Sequence, residues 1–298
     1  MEKLLFIYNP HAGTGKIKNK LSDIIDIFTK AGFSVTAYPT QATHDAANVL
    51  NSLAQRCGDG LCDLIVCCGG DGTLDEVVGG LMKQGLKIPL GYIPAGTTND
   101  FAKNLEIPSD MLKAAEQICQ RRPFVCDIGH FNEKNFVYIA AFGLFTDVSY
   151  ETNQDVKNMI GHTAYLLEGI RRLPDLKASR MRIVSDNIDM EDEFLFGMVT
   201  NSVSVGGFKR ITGERIKLDD GLFEVTLIRK PKNPFEQGNL LTNLMTRKFN
   251  ADCMHWFKAS RLDISAPDAV AWTLDGEFGG LHNTVTIENI PRAVEFYC

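Results

Sequence analysis

Leu64-Ile65-Val66-Cys67-Cys68-Gly69-Gly70-Asp71-Gly72-Thr73 runs five apolar residues into a glycine-rich turn. A short apolar run closed by glycines reads as a buried strand, and Leu74 to Lys83 then reads as a helix. The same alternation extends toward the N-terminus. Leu4–Tyr8 reads as a strand, His11–Gly15 as a glycine-rich turn, and Leu21–Ala31 as a helix with Leu21, Ile24, Ile25 and Phe28 on one face and Gly32 as its stop. Phe33–Tyr38 is a further strand and Asp45–Gln55 a further helix; downstream, Pro89–Ile93 is a strand and Met111–Cys119 a helix. Alternating strands and helices predict an α/β domain, a parallel sheet with helices on both faces.

Beyond Phe124 the texture changes. Val125–Phe131, Asn135–Phe142, Met181–Asp186, Glu193–Thr200, Leu222–Arg229, Arg261–Ser265, Ala269–Leu274 and Asn283–Glu288 read as strands bounded by turn residues. One helical stretch, Gly161 to Leu173, interrupts them. This part predicts a mostly antiparallel β-sandwich. We place residues 1–125 in the first domain and 126–285 in the second.

The 298 residues are 44% hydrophobic and 23% charged, ordinary for a globular chain able to bury a core. A net charge of −6 argues against a nucleic-acid partner. The basic pairs Arg121-Arg122, Arg171-Arg172, Lys209-Arg210 and Arg247-Lys248 read as solvated helix ends, or as contacts for anionic lipid headgroups. The 8 cysteines include no CxxC pair and no histidine at zinc spacing, so they read as reduced, structural thiols of a cytoplasmic protein. Met1–Tyr8 enters a strand rather than a signal peptide, and no run reaches the ~18 apolar residues of a membrane helix.

Chemistry concentrates in three loops. Glycines at 69, 70 and 72 let the backbone approach a ligand closely, and amides at the following helix N-terminus suit a phosphate. Asp71 repels phosphate directly and suits a bridging Mg²⁺; Thr73 suits a cap or a phosphate oxygen. Asn9-Pro10-His11-Ala12-Gly13-Thr14-Gly15-Lys16 follows the first strand, but departs from a P-loop because Ile17 follows Lys16. Pro94-Ala95-Gly96-Thr97-Thr98-Asn99-Asp100-Phe101-Ala102 follows another strand. In an open α/β sheet, loops after parallel strands gather at one edge.

This series resembles the diacylglycerol kinase catalytic family, which includes bacterial soluble lipid kinases and is related to sphingosine and ceramide kinases. The resemblance rests on Asn9-Pro10 with Gly13, Gly69–Thr73 with Glu76, and Pro94-Gly96-Thr97-Asn99-Asp100-Phe101. It continues through Asp127-Ile128-Gly129, Phe142-Gly143, Asn201 with Gly206-Gly207, Asp219-Asp220-Gly221 and Leu274-Asp275-Gly276-Glu277. It implies an ATP- and Mg²⁺-dependent kinase of a lipid hydroxyl, diacylglycerol or a related glycerolipid, acting at the inner face of the membrane through transient peripheral contact.

By the same resemblance, Asn9, Pro10, His11, Ala12, Gly13, Thr40, Gly69, Gly70, Asp71, Gly72, Thr73, Leu74, Asp75 and Thr97 would bind ATP. Asp71 would organise the catalytic Mg²⁺, directly or through water. Asp275 and Glu277 would supply the general base, with Glu277 favoured. A carboxylate suits that task because a lipid hydroxyl must lose its proton as phosphoryl transfers. A structural Mg²⁺ is implied at Asp220 and the Leu222 carbonyl; Lys217 stands where a third ligand belongs, leaving Asp219 as a substitute or the site empty. Asp75 and Gly79 stand where the family usually has Asn, and Lys157 is either a phosphate contact or a surface lysine.

The resemblance also implies that 286–298 returns to the first domain. Tyr165-Leu166-Leu167 and Met254-His255-Trp256-Phe257 read as core, or as apolar lipid contacts, and an edge strand of the sandwich is a place for a second copy in a homodimer. Competing readings are a kinase of a soluble substrate such as NAD, and a non-catalytic nucleotide or lipid sensor. The Pro94–Phe101 motif argues against the first, and retention of Asp71 and Glu277 against the second.

Overall fold

The computed structural model describes residues 1–57, 62–97, 99–143, 177–202, 204–205, 208–209, 217–246 and 252–298. Thr98, Lys157, Tyr165–Leu167, the Gly161–Leu173 helix, Arg171-Arg172, Gly206-Gly207, Arg210 and Arg247-Lys248 lie outside the described residues. The chain forms two compact units, Met1–Ile128 with Pro291–Cys298, and Gly129–Ile290.

In the first unit, strands β1 (Glu2–Tyr8), β2 (Phe33–Pro39), β3 (Leu64–Gly69) and β4 (Leu90–Pro94) pair in parallel, in the order β2-β1-β3-β4. Helices α1 (Leu21–Lys30), α2 (Asp45–Cys57) and α3 (Asp71–Gln84) alternate with them, followed by α4 (Asp100–Asn104) and α5 (Met111–Cys119). Ile24 and Phe28, one turn apart on α1, pack with Phe6, Val66 and Ile93 of the sheet and Ile118 of α5. Asp110 starts α5 by accepting the N–H groups of Leu112 and Lys113, each at 3.0 Å. Parallel pairing puts the ends of β1, β3 and β4 at one edge, where the three loops begin.

The second unit is built mainly from strands β6 (Lys134–Phe136), β7 (Ile139–Gly143), β8 (Ser179–Ser185), β9 (Ile188–Thr200), β10 (Ser204–Val205), β11 (Phe208–Lys209), β12 (Phe223–Arg229), β13 (Met254–Ala259) and β14 (Arg261–Leu274). The end of β5 (Pro123–Phe131) and most of β15 (Glu277–Tyr297) belong to it as well. β9 pairs β8 through its first half, and β7 and β12 through its second. β14 divides in the same way, with Asp263–Ser265 against β8 and Trp272–Leu274 against β7. Phe131, Phe136, Phe142, Phe223 and Trp272 fill the core between them.

Sequence and structure part at several elements. The strand expected at Asn135–Phe142 is broken between β6 and β7, because the amides of Val137, Tyr138 and Ile139 turn to the Asp275 carboxylate. Two expected strands, Arg261–Ser265 and Ala269–Leu274, are one, with a register slip between Ser265 and Val270 around Pro267, which lacks an amide donor. Helix α6 (Pro234–Thr246) was not expected. Asn233 caps it, its Oδ1 accepting the Glu236 N–H at 2.9 Å, and Pro234 opens its first turn. Leu240 of α6 joins Leu195, Phe196 and Met198 in a second apolar cluster. That cover explains why β9 is buried on both faces from Phe194 onward. Among the described residues, no helix is long and apolar enough to cross a membrane.

Candidate active site

Glycine contacts bring the three loops of the first unit together. Gly13, at φ +55°, stands so close to the β4 loop that a Cβ there would lie 2.5 Å from the Ala95 carbonyl oxygen. A Cβ on Gly96 would lie 2.6 Å from Gly70 Cα. Real Cβ atoms do not approach so closely, so these positions admit glycine alone. Asn99 fixes the third loop: its Oδ1 accepts the Gly96 N–H at 2.9 Å and its Nδ2 donates to the Gly96 carbonyl at 2.8 Å. Tyr92, fully buried on β4, donates its hydroxyl to the Gly69 carbonyl at 3.3 Å and to Asn99 Oδ1 at 3.4 Å. Sequence reading passed over Tyr92, because a lone tyrosine in an apolar strand carries no motif.

The glycine motif is not a loop ahead of a helix. Gly69 ends β3, Gly70 is the cap, and α3 already begins at Asp71. The amides of Asp71 and Gly72 lie in the first turn, where a helix has no internal acceptors for its N–H groups. That end of α3 is a natural seat for phosphate oxygens.

The expected ATP residues divide by what they expose. Thr40, Thr73, Leu74 and Ala12 are buried. They shape the loops, and they offer backbone groups rather than side chains. His11, Gly13, Gly72 and Thr97 face solvent, with Asn9, Pro10, Gly70, Asp71 and Asp75 part-buried. Asn9 Oδ1 accepts the His11 N–H at 2.9 Å, closing the first loop on itself. Thr40 donates its N–H to Tyr8 at 2.9 Å. Glu76 serves structure: its carboxylate accepts the N–H groups of His44 at 2.7 Å and Ala46 at 3.2 Å, holding the start of α2.

Asp71 accepts the N–H groups of Asp100 at 3.2 Å and Phe101 at 3.4 Å, and so caps α4. Burial pushes its carboxyl pKa up, those amides pull it down, and the nearby Asp100 carboxylate adds to the rise. Lys103 reaches Asp100 at 2.8 Å. Asp71 and Asp100 thus adjoin, with the Lys103 ammonium already paired to Asp100.

In the second unit, Asp275 and Glu277 flank the β14–β15 turn. Asp275 holds φ +48° and is buried. Its carboxylate accepts the N–H groups of Val137, of Tyr138 at 3.0 Å and of Ile139 at 2.9 Å. Glu277 is exposed. The first carboxylate anchors the turn, and the second is presented by it.

The expected structural metal site has a different occupant. Asp220 Oδ1 accepts the Leu222 N–H at 3.2 Å, while Oδ2 lies 3.0 Å from the Lys258 ammonium. Lys217 and Asp219 are exposed. Among the described residues, no group of three His, Cys, Asp or Glu side chains is placed to hold a metal ion. Among the described residues, the Lys258 ammonium already takes the Asp220 oxygen that a Mg²⁺ would need at this turn.

Residues 3–131 match the family model of the diacylglycerol kinase catalytic domain. Residues 139–298 match that of the YegS C-terminal NAD kinase beta sandwich-like domain, a two-domain architecture in agreement with the strand-rich second unit. The chain is 34% identical over 283 residues to the diacylglycerol kinase of Bacillus subtilis (strain 168), covering 94% of this chain and 91% of that protein. It is 35% identical over 277 residues to the diacylglycerol kinase of Staphylococcus saprophyticus, covering 92% and 88%. A diacylglycerol kinase from Bacillus anthracis str. Sterne has the same fold, with a TM-score of 0.76 at 23% identity over 99% of this chain and 96% of that one. Coverage of this extent, at this identity and across both units, shows that the chain belongs to the diacylglycerol kinase family of ATP-using lipid kinases.

Proposed function

We propose that this kinase transfers the γ-phosphoryl group of ATP to the free hydroxyl of a membrane glycerolipid, diacylglycerol foremost. The observation that carries the reading is the pairing of a pinned carboxylate, Asp275, with an exposed one, Glu277. Glu277 accepts the hydroxyl proton as the new oxygen–phosphorus bond forms. The bond from the γ-phosphorus to its bridging oxygen breaks, and ADP leaves. Asp275 is a positioning residue that fixes the turn carrying Glu277.

Backbone groups of Asn9–Gly13, Gly69–Asp75 and Thr97 cradle the nucleotide, with the α3 N-terminus facing its phosphates. Asp71, with Asp100 beside it, would hold Mg²⁺, which supplies positive charge against the phosphate oxygens. Phe278 and Leu281 are exposed just beyond Glu277, apolar groups suited to a lipid chain at the inner face of a membrane. Among the described residues β13 is an outermost strand of its sheet, an edge at which a second copy would pair.

The test is transfer of labelled γ-phosphate from Mg-ATP to diacylglycerol, phosphatidylglycerol, ceramide, an isoprenoid alcohol and NAD, the lipids in mixed micelles. Labelling of diacylglycerol that disappears in Asp71→Ala and Glu277→Ala supports the reading. Labelling of NAD alone overturns it, and ATP binding without transfer to anything favours a sensor.

A further inference from the structure

Family resemblance puts a divalent cation at the turn before β12, yet the described side chains there are arranged around an ammonium. Lys258 and Glu224 stand opposite each other in the β12–β13 ladder. Lys258 Nζ lies 3.0 Å from Glu224 Oε1 and 3.0 Å from Asp220 Oδ2, so one cation bridges two carboxylates. Glu224 is fully buried and Lys258 mostly so. A buried carboxylate demands a partner of opposite charge or a proton, because desolvation of a lone anion is expensive. The Lys258 ammonium answers Glu224 by charge rather than by a formed hydrogen bond, and donates to Asp220 Oδ2. It also repels a second cation from the same space.

We propose that Lys258 supplies, from within the chain, the positive charge that the family resemblance assigns to a structural metal ion, and that the turn Lys217–Leu222 is built without one. The ladder and the turn are then tied by a covalently attached cation. Its occupancy does not depend on the metal concentration around the protein. The magnesium requirement of the reaction is confined to the nucleotide, and none of it belongs to the fold of the second unit.

Thermal unfolding of the whole chain without nucleotide separates the two kinds of metal. The wild-type Tm is expected to be the same in EDTA as in MgCl₂ or MnCl₂, and metal analysis of the gel-filtered protein is expected to find no stoichiometric ion. Lys258→Met should lower Tm by several degrees. Adding Glu224→Gln to that variant should recover part of the loss, since a neutral amide needs no counter-charge. Lys258→Arg should stay close to wild type. A wild-type Tm that falls in EDTA and returns with MgCl₂ overturns the proposal, as does a Lys258→Met protein with wild-type Tm. Should Lys258→Met alone fail to fold, the chelation experiment on the wild type and the Lys258→Met/Glu224→Gln double variant still decide.

Discussion

Asp275 and Glu277 are separated by one glycine, and the turn between them gives them opposite surroundings. Backbone amides of Val137, Tyr138 and Ile139 converge on the buried Asp275 carboxylate, whereas that of Glu277 stands in solvent. Substitution should therefore separate the two. Glu277→Gln is expected to lower kcat by about 10²- to 10⁴-fold with the unfolding midpoint unchanged, since it removes a proton acceptor from an exposed position. Asp275→Ala should lower activity and stability together. It strands buried amides, at roughly 1–3 kcal/mol per unsatisfied group. Labelled-phosphate transfer and urea unfolding on the same preparations check both.

Gly96 and Gly72 make a second contrasting pair. A methyl on Gly96 collides with Gly70 Cα, while a methyl on Gly72 meets nothing within 4 Å. Gly96→Ala should cost both stability and ATP affinity. Gly72→Ala should keep or raise stability, by up to about 1 kcal/mol from helix propensity. It should still weaken ATP binding, because the methyl stands where phosphate would approach the first turn of α3. Calorimetric titration with ATP, alongside thermal melts, would show it. Unchanged ATP affinity in Gly72→Ala would remove the helix terminus from the nucleotide site.

Acid should loosen α6 before the rest of the second unit. Arg229 Nη1 meets Glu236 Oε2 at 2.9 Å, and that bond, helped by the Lys232 N–H, holds the Glu236 pKa below its usual 4.5. A carboxyl with a lowered folded pKa stabilises at pH above its unfolded value and loses that contribution as pH falls through the folded one. Glu236→Gln should thus be less stable than wild type at pH 7, and the gap should close below pH 4.5. Asn233→Ala, which removes the cap and a long 3.5 Å bond from Asn233 Nδ2 to Glu236 Oε1, should cost about 1 kcal/mol with a weaker dependence on pH. Denaturant melts across pH 3–7 distinguish the two.

Phe296 is fully buried against Phe101, ring centroids 5.2 Å apart. Phe296→Ala should cost about 3–5 kcal/mol. Chemical denaturation measures the loss directly.

Much of the first unit was legible because its buried strands are apolar runs closed by glycine or proline, as at Leu64–Gly69. Its candidate loops could be named for the same reason, since glycine marks close approach before any partner is known. The start of α3 was misplaced by three residues because Gly-Asp-Gly reads as a turn, and only the ladder shows that the helix has begun at Asp71. In the second unit, Asn233-Pro234-Phe235-Glu236 held a legible cap that the surrounding strand pattern obscured. What no local pattern could give was partnership across the chain. The break at Val137-Tyr138 is caused by Asp275, and the fate of the Asp220 turn is decided by Lys258.

Phe296 and Tyr297 pair in parallel with Leu90 and Gly91. One strand of the first unit is therefore made only after the whole of the second. On the ribosome, residues 1–128 emerge with the β4 edge open and the Phe101 ring without Phe296. An uncovered edge invites pairing with other chains. A fragment ending at Ile128 should aggregate, and a synthetic peptide spanning 289–298 should restore its solubility when supplied in trans. The order in which this chain is written thus makes its second unit an obligatory interruption in the folding of its first.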